Sequence, residues 1–416
     1  SGVRSVGALS TGGGASALGS PTMALYSNPA HLGVGPRGTT ELRLFDTRLY
    51  AGGRLFQFEH YNEAFVRSEP LSSSQAQATL NDWFGGGQRS GAMYLEVVPF
   101  ALSFQPEGRP WSMGFGVRIR TVLKSGLNKG LFDLLLRGTG TNRTVPVNGR
   151  YRAYNTIDLT GAFSYDLGGL PLTVGAAPRF IVGTGFADGT LDSEVAVTEE
   201  ALIHRFDYTA RAAGTASSGF YDVFNAFDAD PVSGTSGIQV SGVAGLGGGL
   251  DLGATYRARP DVHVSMSVTD LGLIRWSRDA QTVTPKKDAF RFDGVELNVR
   301  RLNNEFDGDM GAYVEHHLDS LARGAYEEVE RERTSFTTGL PTTLHVSSTW
   351  DRERMTLNGG VSVGLNEEAG AVPRPPAIHA GAETMLGVVP VRAGVRFWGT
   401  QAVTLSGGLG LHVGGY

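Results

Sequence analysis

Apolar and polar side chains alternate along most of this chain, the period that puts successive residues on opposite faces of a strand. From Ser112 to Leu123 one face takes Met113, Phe115, Val117, Ile119 and Leu123, and the other Gly114, Gly116, Arg118 and Arg120. Ile157, Leu159, Phe163 and Tyr165 oppose Thr156, Asp158, Thr160 and Ser164, and Val262, Val264, Met266 and Val268 oppose His263, Ser265, Ser267 and Thr269. The rhythm returns at Leu357 to Val363, at Val391, Val395 and Phe397 against Arg392 and Arg396, and at Val403 to Val413. A soluble β-sandwich also alternates. Three features favour a membrane barrel. The runs reach about ten to sixteen residues, nearer the 9–11 of a tilted membrane strand than the roughly five or six of soluble sheets. Aromatics such as Tyr94, Tyr165, Tyr256, Trp276 and Trp350 fall near run ends, where an interfacial girdle sits. The polar face is rich in glycine, serine and threonine, with scattered arginine and aspartate.

The connections alternate as well. Short links at Pro106–Pro110, Leu167–Pro171, Arg257–Asp261, Asp351–Arg354 and Leu386–Val389 interleave with long excursions at Gly52–Ser90, Lys124–Gly149, Ala187–Gly237 and Ser277–Leu340, and shorter ones at Asn366–Pro376 and Gly399. That is the asymmetry of a bacterial outer-membrane barrel. It predicts an all-β, antiparallel up-and-down transmembrane barrel of twelve strands with both termini on the short-turn side, or fourteen if Arg54–Val66 holds another hairpin. Helical spacing in the excursions predicts loop helices over Ser74–Phe84, Gly130–Arg137 and Gly311–Arg333.

Composition agrees with this and removes other classes. Glycine accounts for 59 of 416 residues, about twice the usual share of roughly 7%, which disfavours a helical bundle. A net charge of −5 lacks the basic face that nucleic acid requires. With no cysteine, there is neither disulfide nor thiolate chemistry. The chain opens at Ser1 without a methionine or an apolar leader, and is read as a processed form whose signal peptide has been removed.

Catalytic and metal-binding patterns are missing. The nine histidines form no His-Glu-x-x-His, and the adjacent His316 and His317 point to different faces of any helix. Gly245 to Gly249 lacks a Walker lysine, and Asp307 to Gly311 has calcium-like spacing without the rest of a loop. No enzyme activity and no cofactor are expected. On the polar faces, Arg118, Arg120, Asp158, Asp251, Arg257, His263, Arg392 and Arg396 are expected to project into the lumen. There they either line a conduit or pair with one another and with whatever fills the barrel.

Residues 1–38 do not read as a strand. They are rich in glycine, alanine and serine, composition suited to a hatch folded inside a lumen that the strands' own side chains cannot fill. This divides the chain into a hatch over 1–38 and a barrel over 39–416. Gly12-Gly13-Gly14, Ala17, Asn28-Pro29-Ala30 and Leu32 resemble the amino-terminal hatch of the long-chain fatty-acid transporter superfamily. Gly249 to Tyr256, Val268 to Trp276, Phe292 to Val295 and Leu340 to Thr342 resemble a family of uncharacterised Bacteroidota-type barrels, similar to those transporters and to the shuttle barrel of the type 9 secretion system. The resemblance implies fourteen strands, with Asn28, Pro29 and Ala30 as hatch residues, in the outer membrane of a Gram-negative bacterium. It implies passive transport of small hydrophobic solutes, with membrane lipid around the wall and a hydrophobic small molecule in the lumen. The alternative is a non-transporting adaptor whose external loops bind a secreted or surface protein.

Overall fold

The computed structural model describes residues 20–33, 37–55, 57–66, 71–85, 87–138, 140, 142–214, 242–293, 299–314, 316, 329–352, 355–366, 376–387, 389–398 and 402–409. A single sheet contains 17 strands. In chain order they are β1 (Thr39–Gly53), β2 (Arg89–Gln105), β3 (Trp111–Leu127), β4 (Arg143–Asp166), β5 (Leu172–Val197), β6 (Leu202–Gly214), β7 (Gly245–Arg259), β8 (Val262–Trp276), β9 (Gln281–Pro285), β10 (Ala289–Phe292), β11 (Val329–Glu332), β12 (Phe336–Gly339), β13 (Thr343–Arg352), β14 (Met355–Gly364), β15 (Ala377–Leu386), β16 (Val389–Trp398) and β17 (Ala402–Leu409).

The wall is an antiparallel meander. Pairing runs β1-β2-β3-β4-β5-β7-β8-β13-β14-β15-β16-β17. This is twelve strands among the described residues, the number read directly from alternation, where the resemblance implies fourteen. Among the described residues β1 and β17 end the ladder. Each short link falls where the sequence places it.

The sheet curls around an enclosed interior. Arg120 of β3 reaches Asp270 of β8 at 3.0 Å although three strands, β4, β5 and β7, lie between them in the wall. Outside, Met113, Phe115, Phe163, Phe180, Met266 and Ile378 form part of an exposed apolar band, while Arg118, Arg120, Thr156, Thr160, Ser265 and Ser267 on the alternate positions are buried. That is the inside-out distribution of a membrane barrel, with lipid as the outer solvent. No helix of the described residues is long and apolar enough to cross a membrane.

The long connections gather at one end. After β1 comes helix α2 (Phe58–Phe65), then α3 (Ser73–Phe84); α4 (Gly130–Arg137) follows β3, and α5 (Val299–Glu305) follows β10. An earlier short helix, α1 (Pro21–Ala24), precedes the wall, as does a 3-10 turn over Pro29–Gly33. Helices α3 and α4 match the sequence expectation, and Ser72 caps α3 through a reciprocal box with Gln75. Arg54–Val66, where another hairpin would have raised the count to fourteen, holds helix α2 instead. Its Phe58, Tyr61 and Phe65 recur at helical spacing, and no Gly-containing two-residue turn divides the segment. The expected helix over Gly311–Arg333 is helical over 311–314 and at 316, but it finishes in strand β11, and 317–328 lie outside the described residues.

Five strands lie beyond the twelve-strand wall. The lower part of β5 (Leu172–Gly183) pairs with β7, whereas its upper part (Gly185–Val197) pairs with β6. There β6 also pairs with β9 and β10, and β9 with β11. The wall therefore rises on one side into an extension whose core packs Phe186 against Trp276 and Phe336.

Candidate functional site

The interior is occupied by two connected features, an N-terminal segment and a charged network. Segment Pro21–Gly33 lies inside the sheet and is almost wholly buried. Asn28 has no exposed surface. Its amide nitrogen donates to Thr255 Oγ1 at 3.4 Å and to the Ala254 carbonyl at 3.5 Å, both on β7. Its carbonyl oxygen accepts from the Ala30 backbone at 3.1 Å, closing the turn that starts at Pro29. His31 Nε2 lies 2.9 Å from Ser265 Oγ on β8, which lies 3.1 Å from Thr255 Oγ1. At its start the segment is held to β1, where Thr22 donates to Glu41 at 2.8 Å and Arg43 donates to Ser20 at 2.7 Å.

Glycines in the wall make the seat. A Cβ on Gly253 would collide with Asn28 Oδ1, one on Gly175 with the Pro29 and Ala30 backbone, and one on Gly116 with the Tyr26 hydroxyl. In strands such glycines mark close approach of another backbone. Around them Leu25, Tyr26 and Leu32 pack with Val98, Ala101, Ala162 and Ala177 in an apolar nest.

The charged network lies against this nest. Arg118 donates to Asp158 at 2.7 Å, and Arg120 lies 2.9 Å from the same carboxylate. Arg120 and Arg179 both donate to Asp270, at 3.0 and 2.8 Å, and Arg179 also donates to Asp251 at 2.8 Å. Arg48 extends the chain to Glu96 at 2.6 Å. The Arg118 guanidinium stands over the Tyr26 ring, 4.7 Å from its centroid, which couples network to segment. Burial also pushes the Tyr26 hydroxyl up from its ordinary pKa. Because the acids are interleaved with arginines, no group of three potential ligands is arranged for a metal among the described residues.

His31 supplies a pH test. Burial, reinforced by nearby His263, lowers its pKa to about 4. The seated segment thus requires neutral imidazole, and the released segment takes up a proton near pH 6.5. Seating is fully favoured above that pH and weakens as pH falls towards 4, by about 1.4 kcal/mol per unit, or about 3 kcal/mol in all. The labelling rate of a Ser27→Cys variant, divided at each pH by that of a free thiol to remove the loss of thiolate, should rise as pH falls across that window, and His31→Gln should flatten the normalised profile. A flat profile with His31 intact would contradict the assignment.

Of the residues expected in the lumen, Arg118, Arg120, Asp158 and Asp251 are buried together in the network. His263 is half-buried on the same inner row as Ser265, near His31. Arg392 is half-buried and ion-paired with Glu383, and Arg396 is half-buried four residues further along the same face of β16. Arg257 pairs directly with His263 and shares its face, and it is exposed because it stands near the end of β7, just before the β7–β8 register shifts. Four network members were not anticipated from the sequence, namely Arg48, Glu96, Arg179 and Asp270. Asp270 has φ of 59°, which brings Thr269 and Asp270 both inward and reverses the phase of the strand beyond them.

Among solved structures, the chain is similar to a toluene transporter of Pseudomonas putida, TodX (11% identity, 98% of this chain and 95% of that one, TM-score 0.40). It is also similar to the Ralstonia pickettii toluene transporter TbuX (10% identity, 98% and 96%, TM-score 0.40). A Pseudomonas aeruginosa FadL homologue gives 12% identity, coverage of 94% and 79%, and a TM-score of 0.45. No curated protein matches. A family model, described as a family of unknown function (DUF5723), matches residues 46–373, well over half of the chain. By that match the chain belongs to the DUF5723 family.

Proposed function

We propose that this protein is an outer-membrane barrel of a Gram-negative bacterium that passes a small hydrophobic solute without energy input, with residues 1–38 acting as its hatch and the rest as its wall. The observation that carries this reading is the apolar nest: Leu25, Tyr26 and Leu32 of the N-terminal segment fill a space lined by Val98, Ala101, Ala162 and Ala177 of the wall. A lumen stoppered by a separate, non-covalently held segment can be vacated without breaking the wall. A hydrophobic solute competes for the same apolar lining, whereas a sugar has no such affinity for it.

Proteoliposome flux tests the proposal. A fluorescent medium-chain fatty acid should equilibrate about tenfold faster through the protein than across empty vesicles, with no gain for a sugar of similar size. Absence of flux both with the intact chain and with residues 20–33 deleted would overturn it. A second reading, an adaptor holding a secreted or surface protein, is favoured by the extension: β4 and β5 run to 24 and 26 residues, well beyond the 9–11 that span a membrane. Stoichiometric co-purification of such a partner, together with absent flux, would favour that reading.

A further inference from the structure

The helices after β1 and β3 expose apolar surface that neither the wall nor the lumen uses. Helices α2, α3 and α4 share a small core in which Leu55, Leu80, Trp83 and Phe84 pack with Ala64, Phe132, Leu136 and Leu127. Leu127 belongs to β3 and continues the outward row of Met113, Phe115, Ile119 and Leu123. It lies four residues past Leu123, about 13 Å along a strand. The helical cluster is therefore seated on the outside of the wall, directly above the apolar band.

Its exposed surface is divided. Helix α3 shows water Ser73, Ser74, Gln75, Asn81 and Asp82. Helix α2 instead shows Phe58 (82% exposed), Tyr61 (51%) and Phe65 (39%) on one flank. Its other flank carries Glu59 and Glu63, and between them His60 stacks on Trp83, with ring centroids 5.9 Å apart. Helix α4 adds Leu131 and Leu135, exposed at 39% and 64%. The two ridges meet where Phe65 faces Phe132 at 6.3 Å. The cluster is braced, since Trp83 donates to the Arg54 carbonyl at 3.2 Å and Lys129 to Asn81 at 3.1 Å.

We infer that α2 and α4 form an interfacial foot, whose apolar flank, led by Phe58, Tyr61 and Leu135, lies in the boundary between headgroups and acyl chains beside the barrel. The occupant is lipid rather than a protein because the ridge continues an apolar band that already faces lipid. A helix with aromatics on one flank and acids on the other also suits a surface that is apolar below and wet above. The inference rests on the reading of that band as membrane-facing, and the experiment tests the two separately.

The chain has no cysteine, so Phe58→Cys, Leu135→Cys, Ser74→Cys and Phe115→Cys each carry one environment-sensitive fluorophore. The labelled proteins are reconstituted in phosphatidylcholine vesicles containing lipid spin-labelled at a shallow or a deep acyl carbon. Labels at 58 and 135 should be quenched at least threefold more by the shallow quencher than the label at 74, and the label at 115 more by the deep one. Quenching at 115 without quenching at 58 and 135 overturns the foot while leaving the band intact. No quenching at 115 overturns the membrane reading itself. Signals at 58 and 135 that depend on the protein-to-lipid ratio assign the ridge to a second copy and overturn the lipid assignment.

Discussion

Gly253→Ala should unseat the N-terminal segment while leaving the wall folded. The added methyl group has nowhere to go, because its position is taken by the Asn28 amide oxygen. Asn28 cannot yield cheaply, since the same side chain holds Thr255 and the Ala30 backbone. Overpacking of this kind costs about 1–3 kcal/mol, which at about 1.4 kcal/mol per factor of ten raises the unseated fraction about tenfold or more. A Ser27→Cys reporter in this background should react with a membrane-impermeant thiol reagent faster by that factor. Gly161→Ala is the control, because a methyl there meets nothing within 4 Å. Equal labelling rates in the two backgrounds, with both barrels folded by heat-modifiable electrophoretic mobility, would show that the glycine seat does not hold the segment.

Much of this architecture was readable because a barrel strand must declare both its faces. Ser112 to Leu123 could be assigned residue by residue, since lipid demands Met113, Phe115 and Ile119 on one side while the interior accepts Arg118 and Arg120 on the other. Turns were legible for a related reason: short links are dominated by residues that cannot continue a strand. What alternation could not reveal lies where alternation breaks. Asp270 follows Val268 on what a strict two-residue period makes the lipid face, and only its left-handed backbone turns it inward to Arg120 and Arg179. Arg179 sits in a run, Gly175-Ala176-Ala177-Pro178, too small in side chain to show a rhythm and carrying a proline that argues against a paired strand. Arg257 keeps the polar row and pairs with His263, but alternation could not tell that it stands at the exposed rim of the wall, just before the register shifts. The glycines at 116, 175 and 253 could be counted, but which segment they admit depends on contacts far away in sequence. Helix α2 is only eight residues long, too short for its apolar spacing to stand apart from a possible hairpin in the sequence.

Arg179→Met should have the largest effect on stability. Arg179 has no exposed surface in its side chain and is ion-paired with Asp251 and Asp270 through separate nitrogens, both at 2.8 Å. Methionine keeps much of the volume but strands Asp251, whose carboxylate then retains only the Asp270 backbone amide at 2.6 Å. Breaking a buried pair from one side costs about 3–5 kcal/mol, because the surviving charge stays buried without its counterion. Replacing both sides costs less, so Arg179→Met combined with Asp251→Asn should recover a large part of the loss; Asp270 keeps Arg120 at 3.0 Å in that variant. Arg179→Lys should fall between, as one ammonium cannot span both carboxylates in the way the planar fork does. Urea unfolding of the barrel refolded into vesicles measures all three. Loss of less than about 1 kcal/mol for Arg179→Met, the range of exposed surface pairs, would mean that water reaches these charges and that the network does not close the interior. A large loss restored by the second substitution would instead identify these charges as a dry, mutually satisfied network that braces the wall from β3 to β8 beside the seated segment.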